Sequence, residues 1–297
     1  MSLSILKNVN LAEYTSWLIG GNADHFCLPT TIDELKQALK FAQTENLSIT
    51  ILGGGSNVLI SDQGVAGLTV CLRRFSKIEH EVRDGRIFIK CLAGTAKSEL
   101  LKIFLKYQLE PAMFLAGLPG DVGGGVVMNA GVAENFEPRE FMEMVDRITL
   151  MSLNGELIKK EKGELKISYR HTDGWQPHIV TEVELSWPFV QKADILQRVR
   201  EANKTRLSKQ PLDMPSCGSV FKNPEGHKVA QLIDQCGLKG YRIGNAQVSV
   251  KHANFIVNLG GARSDDTWAL IQHVKTIVKQ KTGVDINTEV VRIGRWE

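Results

Sequence analysis

Two glycine runs are the parts of this sequence most able to do chemistry with bare backbone. The first is Gly53-Gly54-Gly55-Ser56-Asn57. The second is Gly117-Leu118-Pro119-Gly120-Asp121-Val122-Gly123-Gly124-Gly125, which continues as Val126-Val127-Met128-Asn129-Ala130-Gly131. A diphosphate needs several N–H donors close together, and side chains obstruct that approach. Glycine removes the obstruction and permits positive φ, so neighbouring N–H groups can converge on one anion. The commoner phosphate motifs are absent: no Lys-Ser or Lys-Thr follows either run at the offset of a G-x-x-x-x-G-K-[ST] loop. The last glycine of G-x-G-x-x-G is also missing, its position being Val58 in one run and Met128 in the other. A tight turn is the plain reading of one run alone. Two runs in one chain, the first straight after a strand, point instead to a nucleotide cradle outside the P-loop and Rossmann classes.

The elements that must position these runs alternate between α and β. Thr31 caps a helix whose apolar positions Ile32, Leu35, Ala38, Leu39 and Ala42 fall at helical spacing, and Asn46 marks its exit. Ile49–Leu52 and Val58–Ile60 read as short strands flanking the first run. Leu68, Val70 and Leu72 alternate, as do Ile87, Ile89 and Cys91. Leu100, Leu101, Phe104 and Leu105 predict a helix, with Pro111 beyond its end. From Val145 to Trp187 strands dominate, with Asn154-Gly155 as a hairpin turn. Ala193–Lys209 predicts a charged helix. Ser264 predicts the cap of a strong helix carrying Trp268, Ile271 and Val274 as core, closed by Gly283. Glu289–Ile293 predicts a last strand. Candidate borders fall near residue 74, near 190–200 and near 287.

Composition narrows the function classes. The 297 residues are 43% hydrophobic and 23% charged, ordinary values for a globular protein, and the net charge of +3 gives no reason to expect a nucleic acid or an acidic membrane as partner. Cys27, Cys71, Cys91, Cys217 and Cys236 are scattered, without a C-x-x-C pair or zinc spacing, so reduced thiols and no metal are expected. The opening Met1–Lys7 does not read as a secretory signal, and no apolar run reaches the roughly 18 residues of a spanning helix. A soluble, cytoplasmic protein is expected.

At finer grain the chain resembles the MurB family. Thr15-Ser16-Trp17-Leu18-Ile19-Gly20-Gly21 and Leu52–Ile60 are similar to the family's opening, and Leu115–Gly120 with Val122-Gly123-Gly124 and Met128–Gly131 to its second glycine segment. Tyr169-Arg170, Gly218–Pro224, Lys251–Asn258 and Glu289–Gly294 follow in family order, so the resemblance runs from Thr15 to Gly294. It implies an α+β, FAD-binding fold of the p-cresol methylhydroxylase type in the family's shorter subtype, with two FAD-binding subdomains, 1–74 joined by 287–297 and 75–195, and a substrate-binding domain over 196–286. It also implies a monomer that reduces UDP-N-acetylglucosamine enolpyruvate to UDP-N-acetylmuramate for peptidoglycan, NADPH reducing FAD and the reduced flavin passing hydride to the enolpyruvyl methylene carbon.

By the same resemblance, Arg170 and Glu289 stabilise the enolate-like species and Ser219 delivers the proton. Gly53, Gly54, Gly55, Ser56, Asn57, Pro119, Gly120, Gly123, Gly124, Asn129 and Ala130 would meet FAD, and Lys222, Asn223 and His252 the substrate. The roles are chemically sound: arginine offers a rigid fork for a carboxylate, and a glutamate beside an anion helps only if protonated, which an apolar setting favours. Three departures from the family pattern stand out. Leu18 occupies a position that is often arginine, His171-Thr172 replaces the usual serine after Tyr-Arg, and Gly125 replaces an alanine, a change expected to loosen the loop. The alternative is another FAD-dependent oxidoreductase of the same fold. A nucleotide-sugar-binding protein without turnover would have no use for Arg170, Ser219 and Glu289 together.

Overall fold

In the computed structural model, residues 3–132 and 136–296 are described, and the chain divides into two units. One holds the residues up to Leu6, Phe26–Gly54 and Gly67–Thr205, and the other Lys7–His25, Gly55–Ala66 and the chain from Arg206 onward.

The first unit is built on an antiparallel five-stranded sheet in the order Ile78–Arg83, Arg86–Leu92, Ile179–Pro188, Val145–Met151, Leu157–Glu161. Alternation explains its placement: Ile87, Ile89 and Cys91 point to a buried face. The hairpin at Asn154-Gly155 closes as expected, with Gly155 at φ 83. A helix, Ile32–Thr44, is capped by Thr31, whose hydroxyl accepts from the Glu34 N–H at 3.2 Å, and it buries Leu35, Ala38, Leu39 and Ala42. The strand after it, Ile49–Leu52, runs parallel to Leu68–Cys71 and delivers the chain into the first glycine run. Helix Lys97–Lys106 buries Leu100 and Phe104.

The second unit packs a long helix, Ser264–Thr282, and a short one, Val229–Gln235, with a small antiparallel sheet of Arg242–Ile243, Ala246–Val248 and Ile256–Asn258. Val58–Ile60 pairs in parallel with Val291–Ile293. Trp17, Leu59, Val220, Ile233, Ile271 and Val274 form the centre of its core. Trp17 is 1% exposed, and its indole N–H donates to the Ile256 carbonyl at 2.7 Å.

Four local expectations change. The Gly123-Gly124-Gly125 segment is helical, within Val122–Val127. A Cβ on Gly123 would lie 2.9 Å from the Ala93 Cβ, and one on Gly125 2.9 Å from Phe141. Gly125 therefore lets the helix pack closely, where loosening was expected. Pro111 opens a helix of its own, Pro111–Leu115, suited to it because a first-turn residue needs no N–H. The Ser264 helix is capped by another segment: the Asp62 carboxylate accepts from the Ser264 N–H at 2.9 Å while the Ser264 hydroxyl accepts from the Asp62 N–H at 2.7 Å. Trp268 is only partly buried, with the Arg292 guanidinium 4.0 Å over its ring.

Trp17→Ala removes the largest fully buried side chain of the second unit together with its hydrogen bond to the Ile256 carbonyl. The expected cost is about 3–5 kcal/mol, to be read as a lowered urea midpoint.

Candidate active site

Within the first unit, Gly53 and Gly54 of the first glycine run are in direct contact with the second run. A Cβ on Gly54 would stand 2.9 Å from the Gly120 Cα and 3.0 Å from the Asp121 Oδ1, and one on Gly53 3.2 Å from Asp121 Oδ2. Gly54 is gripped on both sides: its N–H donates to the Asp121 carboxylate, and its carbonyl accepts from Arg73 Nη2 at 2.9 Å. The second run is held by Lys97, whose Nζ donates to the Pro119 carbonyl at 2.7 Å and whose N–H donates to the Gly120 carbonyl at 3.0 Å. Gly120 takes φ 81, a conformation that glycine alone adopts cheaply. These residues wall a cavity of about 600 Å³, with Gly54, Arg73, Ser98, Glu99, Pro119 and Asp121 in its lining.

Burial governs the electrostatics of this wall. It pushes the Lys97 ammonium down to about 8, with the nearby Asp121 charge opposing. It pushes Asp121 up to about 6, against the opposing pull of Lys97, Arg73 and the Gly54 N–H. Asp121 Oδ2 is buried and has no hydrogen-bond partner among the described residues. In its neutral form this carboxyl is a hydrogen-bond donor. Sequence reasoning missed Arg73, Lys97 and Asp121. Asp121 was in view inside the second run, but a lysine 4% exposed at the start of a helix carries no signal in periodicity.

The rest of the second run serves mainly to hold itself. Asn129 is fully buried; its amide donates to Glu140 Oε2 at 2.6 Å and to the Ser168 carbonyl at 3.0 Å, and accepts from the Met142 N–H at 3.2 Å. Ala130 exchanges backbone hydrogen bonds with Gly125 and Phe141. Gly124 is open, with nothing within 4 Å of a modest added Cβ.

Arg170 sits at φ 56 in the turn between the paired strands Lys166–Ser168 and His171–Asp173, and it is 8% exposed. Its Nη2 donates to the Gly131 carbonyl at 2.9 Å, Glu140 lies 3.9 Å from Nη1, and Tyr169 lies against the guanidinium at 4.7 Å. A side chain at Gly131 would overlap that guanidinium, so this glycine makes room for Arg170. Thr172, the replacement for the usual serine, is fully buried.

Ser219 and Glu289 belong to the second unit. Ser219 follows Gly218, at φ 80, and precedes the buried Val220 and Phe221. The Glu289 N–H donates to the Val220 carbonyl at 2.8 Å, which fixes the two backbones beside one another. Cys217 is buried nearby, and burial followed by the Glu289 charge raises its thiol well above the usual range. Gly55 must be glycine, because at φ 67 a Cβ would overlap the Tyr14 carbonyl. Asn57 donates through Nδ2 to the Glu289 carbonyl at 3.0 Å. Of the three residues expected at substrate, Asn223 accepts from the Val229 N–H at 3.0 Å, and Lys222 donates its backbone N–H to Asn287 at 2.9 Å. His252 accepts at Nδ1 from the Asn254 N–H at 3.3 Å, and its burial, with Lys239 adding, holds it below the usual imidazole range. Leu18 is 55% exposed.

Comparison with known proteins decides the family. Residues 23–160 match the FAD binding domain model, and residues 210–293 match the model of the UDP-N-acetylenolpyruvoylglucosamine reductase C-terminal domain. A UDP-N-acetylenolpyruvoylglucosamine reductase of Listeria innocua is 39% identical, over 98% of this chain and 96% of its own. The protein of the same name from Lactiplantibacillus plantarum is 37% identical, over 99% and 95%. The chain belongs to the UDP-N-acetylenolpyruvoylglucosamine reductase family. Its fold is that of a crystallised reductase of this family from Thermus caldophilus, with a TM-score of 0.78, 29% identity and 99% of each chain covered. The α+β class and FAD as cofactor follow for this member of the reductase family. Among the described residues, no group of His, Cys, Asp and Glu is arranged to hold a metal ion, and no helix is long and apolar enough to cross a membrane.

Because Gly54 already touches the Gly120 Cα, Gly54→Ala must push the two runs apart. The expected result is a folded protein by circular dichroism, purified with much less flavin than the parent. Undiminished flavin content would show that the contact does not matter for the cofactor.

Proposed function

We propose that this protein reduces UDP-N-acetylglucosamine enolpyruvate to UDP-N-acetylmuramate, with electrons drawn from NADPH by way of FAD. The observation that carries the proposal is the order of domains on one chain: an FAD-binding domain followed by the reductase's own C-terminal domain, with named reductases 37–39% identical along almost the whole length. We further propose that the protein acts as a cytoplasmic monomer in peptidoglycan synthesis. In this proposal its lobes are divided at 1–74 with 287–297, 75–195 and 196–286.

The glycine wall of the first unit fits the diphosphate of FAD. Gly53, Gly54, Gly55, Ser56, Pro119, Gly120, Gly123, Gly124 and Ala130 are assigned to the cofactor; Gly124 has nothing within 4 Å of an added Cβ, while the Gly54, Gly123 and Ala130 N–H groups already bond within the protein. Asn57 and Asn129 are assigned to the same region, with their side-chain amides already bonded within the protein. Arg73 and Lys97 set positive charge behind this wall, and Asp121 in its neutral form can donate to an anion. Bound FAD would supply the redox step, as acceptor and donor of hydride.

The chain's own side chains do the rest. Arg170 presents a rigid fork to the substrate carboxylate, which gains charge as hydride arrives at the methylene carbon. Glu289, protonated, donates to the same developing charge. Ser219 gives its hydroxyl proton to the carbon bearing the carboxylate, so that hydride and proton together saturate the double bond. Lys222, Asn223 and His252 are assigned to the nucleotide-sugar portion of the substrate.

Two outcomes follow. Below about 6 Asp121 is neutral while Lys97 is cationic; above about 6 Asp121 is an anion, and above about 8 Lys97 is neutral. Each change makes the wall less positive, so the affinity of the apoprotein for FAD should fall as pH rises through both values, and Asp121→Asn should abolish the lower step. Flavin fluorescence titration between pH 5 and 9 measures this. Stopped-flow spectroscopy of Ser219→Ala should show near-normal flavin reduction by NADPH and collapsed reoxidation by the enolpyruvyl substrate. Equal loss in both half-reactions would remove Ser219 from the proton transfer.

A further inference from the structure

The residues that set Ser219 and Glu289 side by side are themselves identifiable. Asn57 brackets the terminal glutamate: its Nδ2 donates to the Glu289 carbonyl at 3.0 Å, and its own carbonyl accepts from the Val291 N–H at 3.1 Å. The parallel pairing of Val58–Ile60 with Val291–Ile293 begins immediately after these two bonds. The Glu289 N–H then donates to the Val220 carbonyl at 2.8 Å, next to Ser219. Asn254 holds the far side of the same segment. Its carbonyl accepts from the Val220 N–H at 2.9 Å, its Oδ1 accepts from the Phe221 N–H at 2.9 Å, and its Nδ2 donates to the Phe221 carbonyl at 2.8 Å. Asn254 is 5% exposed, so these bonds form away from water, where a lost partner is costly.

We propose that Asn57 and Asn254 are positioning residues that act through Glu289 and Ser219, fixing the backbone from which each of the two side chains projects. The inference rests on the catalytic reading of Ser219 and Glu289 given above. An amide is suited to the task because it carries a donor and an acceptor in one plane, as a peptide does, so it can close a ladder where no strand neighbour exists. Aspartate lacks the donor, and its second oxygen would face the Glu289 or Phe221 carbonyl. Position 57 thus ends the first glycine run with a side chain committed to the terminal glutamate.

The test separates positioning from cofactor contact and from folding. For Asn57→Ala and Asn57→Asp holoenzymes, thermal unfolding, FAD affinity of the apoproteins and both half-reactions are measured beside Glu289→Gln. Positioning predicts that any change in FAD affinity or in flavin reduction by NADPH is smaller than the change in reoxidation. It also predicts reoxidation by substrate slower by about tenfold or more, with a displaced pH profile. Asn57→Gln, which keeps the amide, should recover part of that rate. For Asn254→Asp, the same selective loss of reoxidation is expected with FAD affinity unchanged. Weakened FAD binding with unchanged reoxidation in the Asn57 variants would make Asn57 a cofactor contact and overturn the inference. If Glu289→Gln slows reoxidation and the asparagine variants do not, the inference fails while the function stands. If Glu289→Gln itself leaves reoxidation intact, the role given to Glu289 falls and this inference with it.

Discussion

The backbone of Gly54 meets that of Gly120 at a distance that leaves no room for a Cβ, and the packing of the two glycine runs depends on that approach. Close backbone packing of this kind brings polar groups together with few side chains to satisfy them. The protein answers with three charged residues, each spent on a backbone atom: Arg73 on the Gly54 carbonyl, Asp121 on the Gly54 N–H and Lys97 on the Pro119 carbonyl. Burying a lysine and an aspartate is unfavourable for both charges, which is why one is pushed down and the other up. A diphosphate bound nearby would restore the balance by keeping Lys97 charged and Asp121 neutral.

The second unit solves a different positioning problem with neutral groups. Ser219 and Glu289 lie on irregular segments, where no sheet ladder defines their backbones. Asparagine amides supply the missing ladder, and one backbone bond between Glu289 and Val220 joins the two segments directly. Irregular backbone allows a glutamate and a serine to project from adjacent points, and the buried Asn254 gives that backbone the fixity a strand would otherwise provide. The two units thus use opposite devices: charged side chains behind glycine in the first, and neutral amides in the second.

Much of this was legible in the residues. Thr31 and the spacing of Leu35, Ala38 and Leu39 marked the first helix, β-branched runs marked the strands on either side of Gly53–Asn57, and Gly155 and Gly283 marked a turn and a helix end. These signals are local, set by neighbouring residues alone. What escaped notice depends on partners distant in sequence. Ser264 looks like a cap, but Asp62 from another segment provides it. Three consecutive glycines argue against a helix until Ala93 and Phe141 are seen pressing on it. The burial of Lys97 and the internal engagement of Asn129 leave no periodic trace. Family motifs pointed to Arg170, Ser219 and Glu289 and also contained Gly131, Asn57 and Asn254, but the bonds these three make to their neighbours appear only in the hydrogen bonds and packing.

NADPH consumption by the purified flavoprotein, with and without UDP-N-acetylglucosamine enolpyruvate, tests the central claim most directly. The account predicts slow oxidation of NADPH alone and a strong, saturable acceleration by that substrate, with UDP-N-acetylmuramate formed in equal amount. Oxidation that proceeds at the same rate without the enolpyruvyl compound, in a protein that retains its flavin, would contradict it and assign the fold to another reductase or oxidase.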